Sequence, residues 1–333
     1  MTLMRKFLGA AALVALASGG ALAEPALMYD LGGKFDKSFN EAAYNGAQRW
    51  AEENGATYRE IEVTSEAQRV QFATRLAEAG FNPIVVLGFQ NASTMEEVAP
   101  KYPDTSFAII DVGWLDIPNL RQITFAEHEG SYLVGMMAAM ASETGTVGFI
   151  GGMDVPLIRH FGCGYAQGAK AVNPDIEVVA NMTGTTPAAW NDPVKGGELT
   201  KAQISQGADV VFAAAGGTGV GVLQAAADGD ILSIGVDSNQ NYLYPGQVLT
   251  SMLKRVDQAV YDVFEAGVEG FEPGVISMGL ANEGVGYSLD EFNADLVTAE
   301  MQETVDAAKA SIIAGETEVV AYYTDDSCPV LEF

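Results

Sequence analysis

Apolar runs bounded by turn residues alternate with segments of helical period along most of this chain. Ala26-Leu27-Met28-Tyr29 reads as a short buried strand. Residues 41–53 follow as a helix, with Ala43, Ala47 and Trp50 on one face and Asn54-Gly55 as its stop. Residues 67–79 read as a second helix, 83–88 as a continuous apolar strand and 95–101 as helical. Residues 106–111 form a strand with Asp111 at its carboxyl end. The rhythm restarts after Gly130. Helices are expected at 132–142, 161–171, 196–206 and 219–227, and strands at 146–152, 177–180, 209–214 and 231–237. The last of these strands ends in Asp237. This βαβα order predicts parallel sheets covered by helices on both faces. Two similar halves without a Pro- or Ser-rich linker predict two lobes joined by several close crossings, with a ligand between them at the strand ends.

The densest polar cluster sits where the first strand turns into the first helix, in Tyr29-Asp30-Leu31-Gly32-Gly33-Lys34-Phe35-Asp36-Lys37-Ser38-Phe39-Asn40. The two glycines permit a tight turn. Ser38 and Glu41 have the spacing of a capping box that starts a helix. The loop brings Asp36, Ser38, Phe39 and Asn40 to a strand end. An aromatic, a carboxylate, a hydroxyl and an amide there suit a small polar ring ligand. A capped turn with Phe39 in the core fits the same residues.

Charge and leader narrow the setting. Arg5 and Lys6, the apolar run 7–16 and Ala21-Leu22-Ala23 have the form of a cleavable export signal, with Glu24 the expected mature terminus. No cysteine lies near that site to accept a lipid, and no later stretch is long and apolar enough for a span. A soluble periplasmic protein is expected. The formal charge of −27 disfavours nucleic acid and anionic lipid as partners. The only cysteines, Cys163 and Cys328, allow one disulfide after export. With only His128 and His160 as histidines and no zinc spacing, neither a metal site nor a cofactor is expected.

Both halves offer the same chemistry. The first gives Asp36, Phe39, Asn40 and Asp111. The second gives Phe161, Trp190, Asn191, Asp192, the Gly216-Gly217-Thr218-Gly219 turn, Asp237 and Lys254. Opposed aromatics can sandwich a flat ring, a contact of about 1–3 kcal/mol per base in nucleic-acid complexes. A carboxylate can accept both hydroxyls of a vicinal diol, and Asp237 at a strand end is placed to do so.

These residues carry a resemblance. The chain resembles the basic membrane protein family of ABC-importer substrate-binding proteins, including purine-nucleoside receptors. The likeness runs through Asp36-Lys37-Ser38-Phe39-Asn40, Gly148-Phe149-Ile150-Gly151-Gly152-Met153, 161–170 and Trp190-Asn191-Asp192-Pro193. It continues through Ala215-Gly216-Gly217-Thr218-Gly219, Gly235-Val236-Asp237 and Ser251-Met252-Leu253-Lys254. The resemblance implies a type I periplasmic-binding-protein fold: two doubly wound parallel-sheet lobes on a three-crossing hinge. Residues 1–23 would be the signal, 24–125 and 253–281 the first lobe, and 126–252 and 282–333 the second. It implies a purine nucleoside or related purine as ligand and a membrane permease as partner. Phe39 would stack on the base, with Phe161 or Trp190 opposite. Asp111 would meet the polar edge of the base, and Asp237 with Lys254 would hold the ribose hydroxyls. The chain departs from the family pattern in lacking the lipid-anchor cysteine, in Asn239 where Asp is usual, and in Tyr165 where Phe is usual.

Other readings use the same residues. Gly217-x-Gly219-x-Gly221 with Asp237 downstream approaches a dinucleotide fingerprint, but its third glycine falls one position early. A nucleoside-processing enzyme would use carboxylates clustered at the site or a G-x-S-x-G elbow, but the candidate site carboxylates are scattered singly along the chain and no such elbow occurs. A binding protein for free adenine or a flavin would use the same toolkit. The expectation is therefore a receptor and not an enzyme.

Overall fold

The computed structural model describes residues 23–333 apart from Asp325; the expected signal segment lies outside the described residues but for Ala23. The strands are β1 (Ala26–Tyr29), β2 (Arg59–Glu62), β3 (Ile84–Val86), β4 (Phe107–Ile110), β5 (Leu120–Phe125), β6 (Thr146–Met153), β7 (Glu177–Gly184), β8 (Val210–Ala214), β9 (Leu232–Asp237), β10 (Val248–Lys254), β11 (Gly274–Met278) and β12 (Val285–Tyr287). The helices are α1 (Phe39–Asn54), α2 (Arg69–Glu78), α3 (Ala92–Val98), α4 (Glu127–Ala141), α5 (Pro156–Val172), α6 (Pro193–Ser205), α7 (Thr218–Asp228), α8 (Val256–Ala266) and α9 (Ala299–Ile313).

The strands form two six-stranded sheets, ordered β11-β5-β4-β3-β1-β2 and β12-β10-β9-β8-β6-β7. Every pairing is parallel except β10 with β12, an antiparallel edge. The central strands are continuous apolar runs because helices cover both faces: β1, β3, β4 and β8 are buried throughout.

The chain passes between the sheets three times. After β5 it crosses through Ala126 into α4, which packs on α5, β10 and β12. After β10 it returns through Arg255 into α8, which packs on α1. After β11 it crosses again to reach β12. Leu253 and Lys254, expected to open the returning first-lobe segment, instead complete β10. They are paired there with Gly286 and Val285, and this pairing carries the second sheet two residues further.

In the second lobe α4 and α5 pack nearly backbone to backbone. A Cβ added at Gly135, Gly164 or Gly168 would come within 2.1, 2.3 or 1.9 Å of a carbonyl oxygen of the facing helix. Glycine at these three positions allows that approach. Both helices begin earlier than their periodicity indicates, α4 at Glu127 and α5 at Pro156, whose fixed φ suits a first helical turn.

Candidate ligand-binding site

The carboxyl ends of the two sheets meet around a cleft walled by residues of both lobes. Asp36, Phe39, Asn40 and Asp111 line it from the first lobe. Phe161, Trp190, Gly216, Asp237 and Lys254 line it from the second. Sequence reasoning missed Asp30, Gly88 and Ile158, which also line it.

The polar residues of the first loop do different work from that expected. Ser38 makes no side-chain cap on α1. Asp36 does that work: its carboxylate accepts from the amides of Ser38 (2.8 Å), Asn40 (3.0 Å) and Glu41 (3.1 Å). Glu41 accepts from the Lys37 amide, so the expected box between Ser38 and Glu41 is not formed. Burial nevertheless pushes the Asp36 carboxyl up to about 7, against those three amides. The Asn40 amide is used up by the loop. It accepts from the Asp30 amide and donates to the carbonyls of Asp30 and Gly33. Asp36 and Asn40 therefore shape the wall, and their polar atoms hold the loop.

The relieved Ser38 hydroxyl donates to the Asp237 carboxylate across the cleft. The Ser238 hydroxyl donates to the Ser38 carbonyl at 3.1 Å, and Gln240 Nε2 to the Lys37 carbonyl at 2.8 Å. These bonds tie the two lobes together in a closed arrangement.

Asp111 and Asp237 occupy matching places, just after β4 and at the end of β9. Both have left-handed backbones, with φ of 67° and 62°. Aspartate tolerates that region better than most residues. Both side chains are buried at the cleft. Burial raises both carboxyls, that of Asp237 up to about 6.

Lys254, expected beside Asp237 at the ribose hydroxyls, makes its direct ion pairs with two other acids. Its Nζ lies 2.7 Å from Asp111 Oδ1 and 3.0 Å from Glu127 Oε1. Burial alone would favour the neutral amine, but Asp111, Glu127 and Asp237 outweigh it and hold Lys254 protonated. Burial would likewise raise the Glu127 carboxyl; Lys254 and His160 outweigh it and hold Glu127 ionised. His160 Nδ1 lies 3.3 Å from Glu127 Oε2, and its ring stacks on His128 at 4.3 Å.

The aromatic walls surround this charge. Lys254 Nζ lies 5.3 Å from the Phe39 ring centre and 5.5 Å from that of Phe161, within cation–π range of rings from opposite lobes. Trp190, on the short turn after β7, packs its six-membered ring against Gly152, where an added Cβ would come within 2.1 Å of the indole. Its Cβ is also 3.8 Å from a Cβ built on Gly32 of the first lobe.

Two supporting groups had weak signals in the sequence. Asp30 is held by Arg69 at 2.9 Å, a partner thirty-nine residues away that no local pattern reveals. Glu127 falls in the first turn of α4, upstream of the stretch whose periodicity marked that helix.

A family model described as Bmp, ABC transporter substrate-binding protein PnrA-like, matches residues 24–322. A Lactococcus lactis protein described as an ABC transporter nucleoside-binding protein is 33% identical over 318 residues, covering 88% of each chain. A Pyrococcus horikoshii protein described as an uncharacterized lipoprotein is 36% identical over 278 residues, covering 79% of this chain and 68% of its own. Among solved structures, an ABC transporter solute-binding protein of Aeropyrum pernix superposes with a TM-score of 0.83 at 29% identity, over 91% of this chain and 95% of that one.

Proposed function

The chain belongs to the Bmp family of ABC transporter substrate-binding proteins, and from that premise we propose that its ligand is a purine nucleoside. Membership implies a small-molecule ligand and a membrane permease that receives it. The observation that carries the nucleoside reading is the layout of the cleft: aromatic rings from both lobes flank one buried ammonium, with a strand-end carboxylate from each lobe beside it. A base fits between Phe39 and the second-lobe aromatics. Asp111 and the third N–H of Lys254 meet its polar edge. Asp237 keeps acceptor capacity beyond Ser38 for a ribose diol. The Lactococcus relative described as nucleoside-binding supports the same reading.

Charge within the cleft bears on the ligand's own charge. Among the described residues that line it are four carboxylates, Asp30, Asp36, Asp111 and Asp237, and one cation, Lys254, while Asp30 is paired with Arg69. Lys254 is already committed to Asp111 and Glu127. A phosphate placed there would meet uncompensated negative charge, so a neutral nucleoside is favoured over its monophosphate.

The protein is proposed to reach the periplasm by cleavage after Ala23, and to bind its ligand without transforming it. No helix among the described residues is long and apolar enough to cross a membrane. Calorimetric titration with adenosine, inosine and adenosine 5′-monophosphate tests the assignment, with chromatography for free base after incubation. Tight nucleoside binding, weak nucleotide binding and no released base are expected. Saturation by neither nucleoside, or equal affinity for the monophosphate, overturns it.

A further inference from the structure

The segment after α9 packs along one helix of the second lobe, α5. Cys328 is bonded to Cys163 in the middle of that helix. One turn further on, Gln167 exchanges two hydrogen bonds with the backbone of Val320. Its Nε2 donates to the carbonyl and its Oε1 accepts from the amide, both at 2.9 Å. Nearer the start of α5, Arg159 is held by both oxygens of Asp154 and donates to the Tyr322 hydroxyl at 2.9 Å. The Phe333 ring covers Gly162, where an added Cβ would come within 2.7 Å of it. The Tyr323 ring lies against His160, with centres 4.5 Å apart.

The gripped positions interleave with those that line the cleft. Leu157, Ile158 and Phe161 form part of the ligand wall. His160, between them, touches Glu127, and Glu127 holds Lys254 at 3.0 Å. A path of direct contacts therefore runs from Tyr323 through His160 and Glu127 to Lys254 in the cleft. In a close-packed interior, a helix released on one face shifts the side chains on the other.

We infer that the segment 319–333 is a strap that positions α5, and through it Phe161 and Lys254, so that ligand residence depends on the strap. This differs from the general effect of a disulfide, which acts by restricting the unfolded chain. A bond acting only in that way lowers the melting temperature and leaves the folded site unchanged. Tyr323, His160 and Glu127 act here as positioning residues, since the ligand wall is made by others. The inference rests on the nucleoside reading only for the choice of probe.

The test uses the full mature chain and the variants Cys328→Ser, Tyr323→Ala and Tyr323→Phe, all well below their melting temperatures. Hydrogen exchange without ligand is the first measurement. Cys328→Ser is expected to speed exchange across residues 157–167 while α1 and α7 keep their wild-type protection. Unchanged exchange in α5, or an even rise over the whole second lobe, overturns the strap. Stopped-flow release of adenosine is the second. Off-rates are expected to rise about three- to tenfold for Cys328→Ser and Tyr323→Ala, with Tyr323→Phe close to wild type because the ring remains on His160. A loosened α5 with an unchanged off-rate overturns the link to the ligand. A loosened α5 in a protein whose wild type binds neither adenosine nor inosine supports the strap and refutes the nucleoside reading.

Discussion

Ser38, at the start of the first long helix, donates its hydroxyl proton to the carboxylate of Asp237, which ends a strand of the other lobe. A single side-chain bond thus joins the residue that opens one wall of the cleft to the acid that ends the other. It is available because Asp36 takes over the helix cap.

Ser38→Ala should weaken closure. A hydrogen bond to a charged group contributes roughly 1.5–3 kcal/mol, and here it counts only when the lobes meet. The variant should bind adenosine about ten- to a hundredfold more weakly. It should also show a larger radius of gyration without ligand in small-angle scattering. A variant as closed and as tight as wild type would remove the bond from the closing mechanism.

Asp237→Ala should be most damaging for ligands with a ribose diol. At roughly 1.5–3 kcal/mol for a hydrogen bond to a charged group, adenosine binding should weaken about ten- to several-hundred-fold beyond that of adenine. Adenine should lose only what Ser38→Ala loses through the missing closure bond, with deoxyadenosine in between. Equal losses for all three would refute the diol assignment. Lys254→Ala is a poor companion test. It strands the buried carboxylates Asp111 and Glu127, which costs about 3–5 kcal/mol of fold stability.

Gly152→Ala should perturb the site through Trp190. The added methyl would lie 2.1 Å from the indole, so the ring must leave its bed on β6. Binding should fall about tenfold, with an altered tryptophan emission spectrum in the ligand-free protein. Stacking losses of 1–3 kcal/mol per ring set that scale. Unchanged emission and affinity would mean that the indole has room elsewhere and does not contact the ligand.

Acidity should act in opposite directions on fold and ligand. Burial raises the carboxyls of Asp30 and Asp237 to about 6 and that of Asp36 to about 7. Each therefore binds more protons folded than unfolded between their ordinary range near 4 and these values. Stability of the ligand-free protein should fall as pH rises through that window. Binding a diol to ionised Asp237 favours the deprotonated form, so affinity should rise with pH up to about 6 and then level off. Thermal melts from pH 5 to 7.5 test the first claim. Calorimetry in buffers of different ionisation enthalpy tests the second, by proton release on binding near pH 6. Absence of release there would show that Asp237 is already ionised or does not meet the ligand.

Much of the architecture was legible because its physics is local. The apolar strands Ile84–Val86 and Val210–Ala214 stand out from polar turns, and Asp111 and Asp237 mark strand ends by position alone. The same regularity brought Phe39, Phe161 and Trp190 into one candidate list, and the fold gathers them around one cleft. The division of labour among the polar residues was not legible. Nothing in Asp36-Lys37-Ser38 tells which of the acid and the hydroxyl caps the helix, since both can; the choice is made by Asp237, 199 residues on. The ion-pair partners of Lys254 were not legible for a related reason. Asp111 reaches it from the other lobe, and Glu127 sits in a helical turn without visible periodicity.

The seam between α4 and α5, where glycines let two helices meet at backbone distance, makes the second lobe a poor reporter of its own ligand. Two dyes attached within that lobe would keep a fixed separation through any cycle of opening and closing, because a shear along such a seam would drive carbonyls into Cα hydrogens. One dye on α1 and one on α6 would straddle the three crossings and register the whole motion. The glycine seam thereby serves as the ruler against which an optical sensor built on this scaffold would be calibrated.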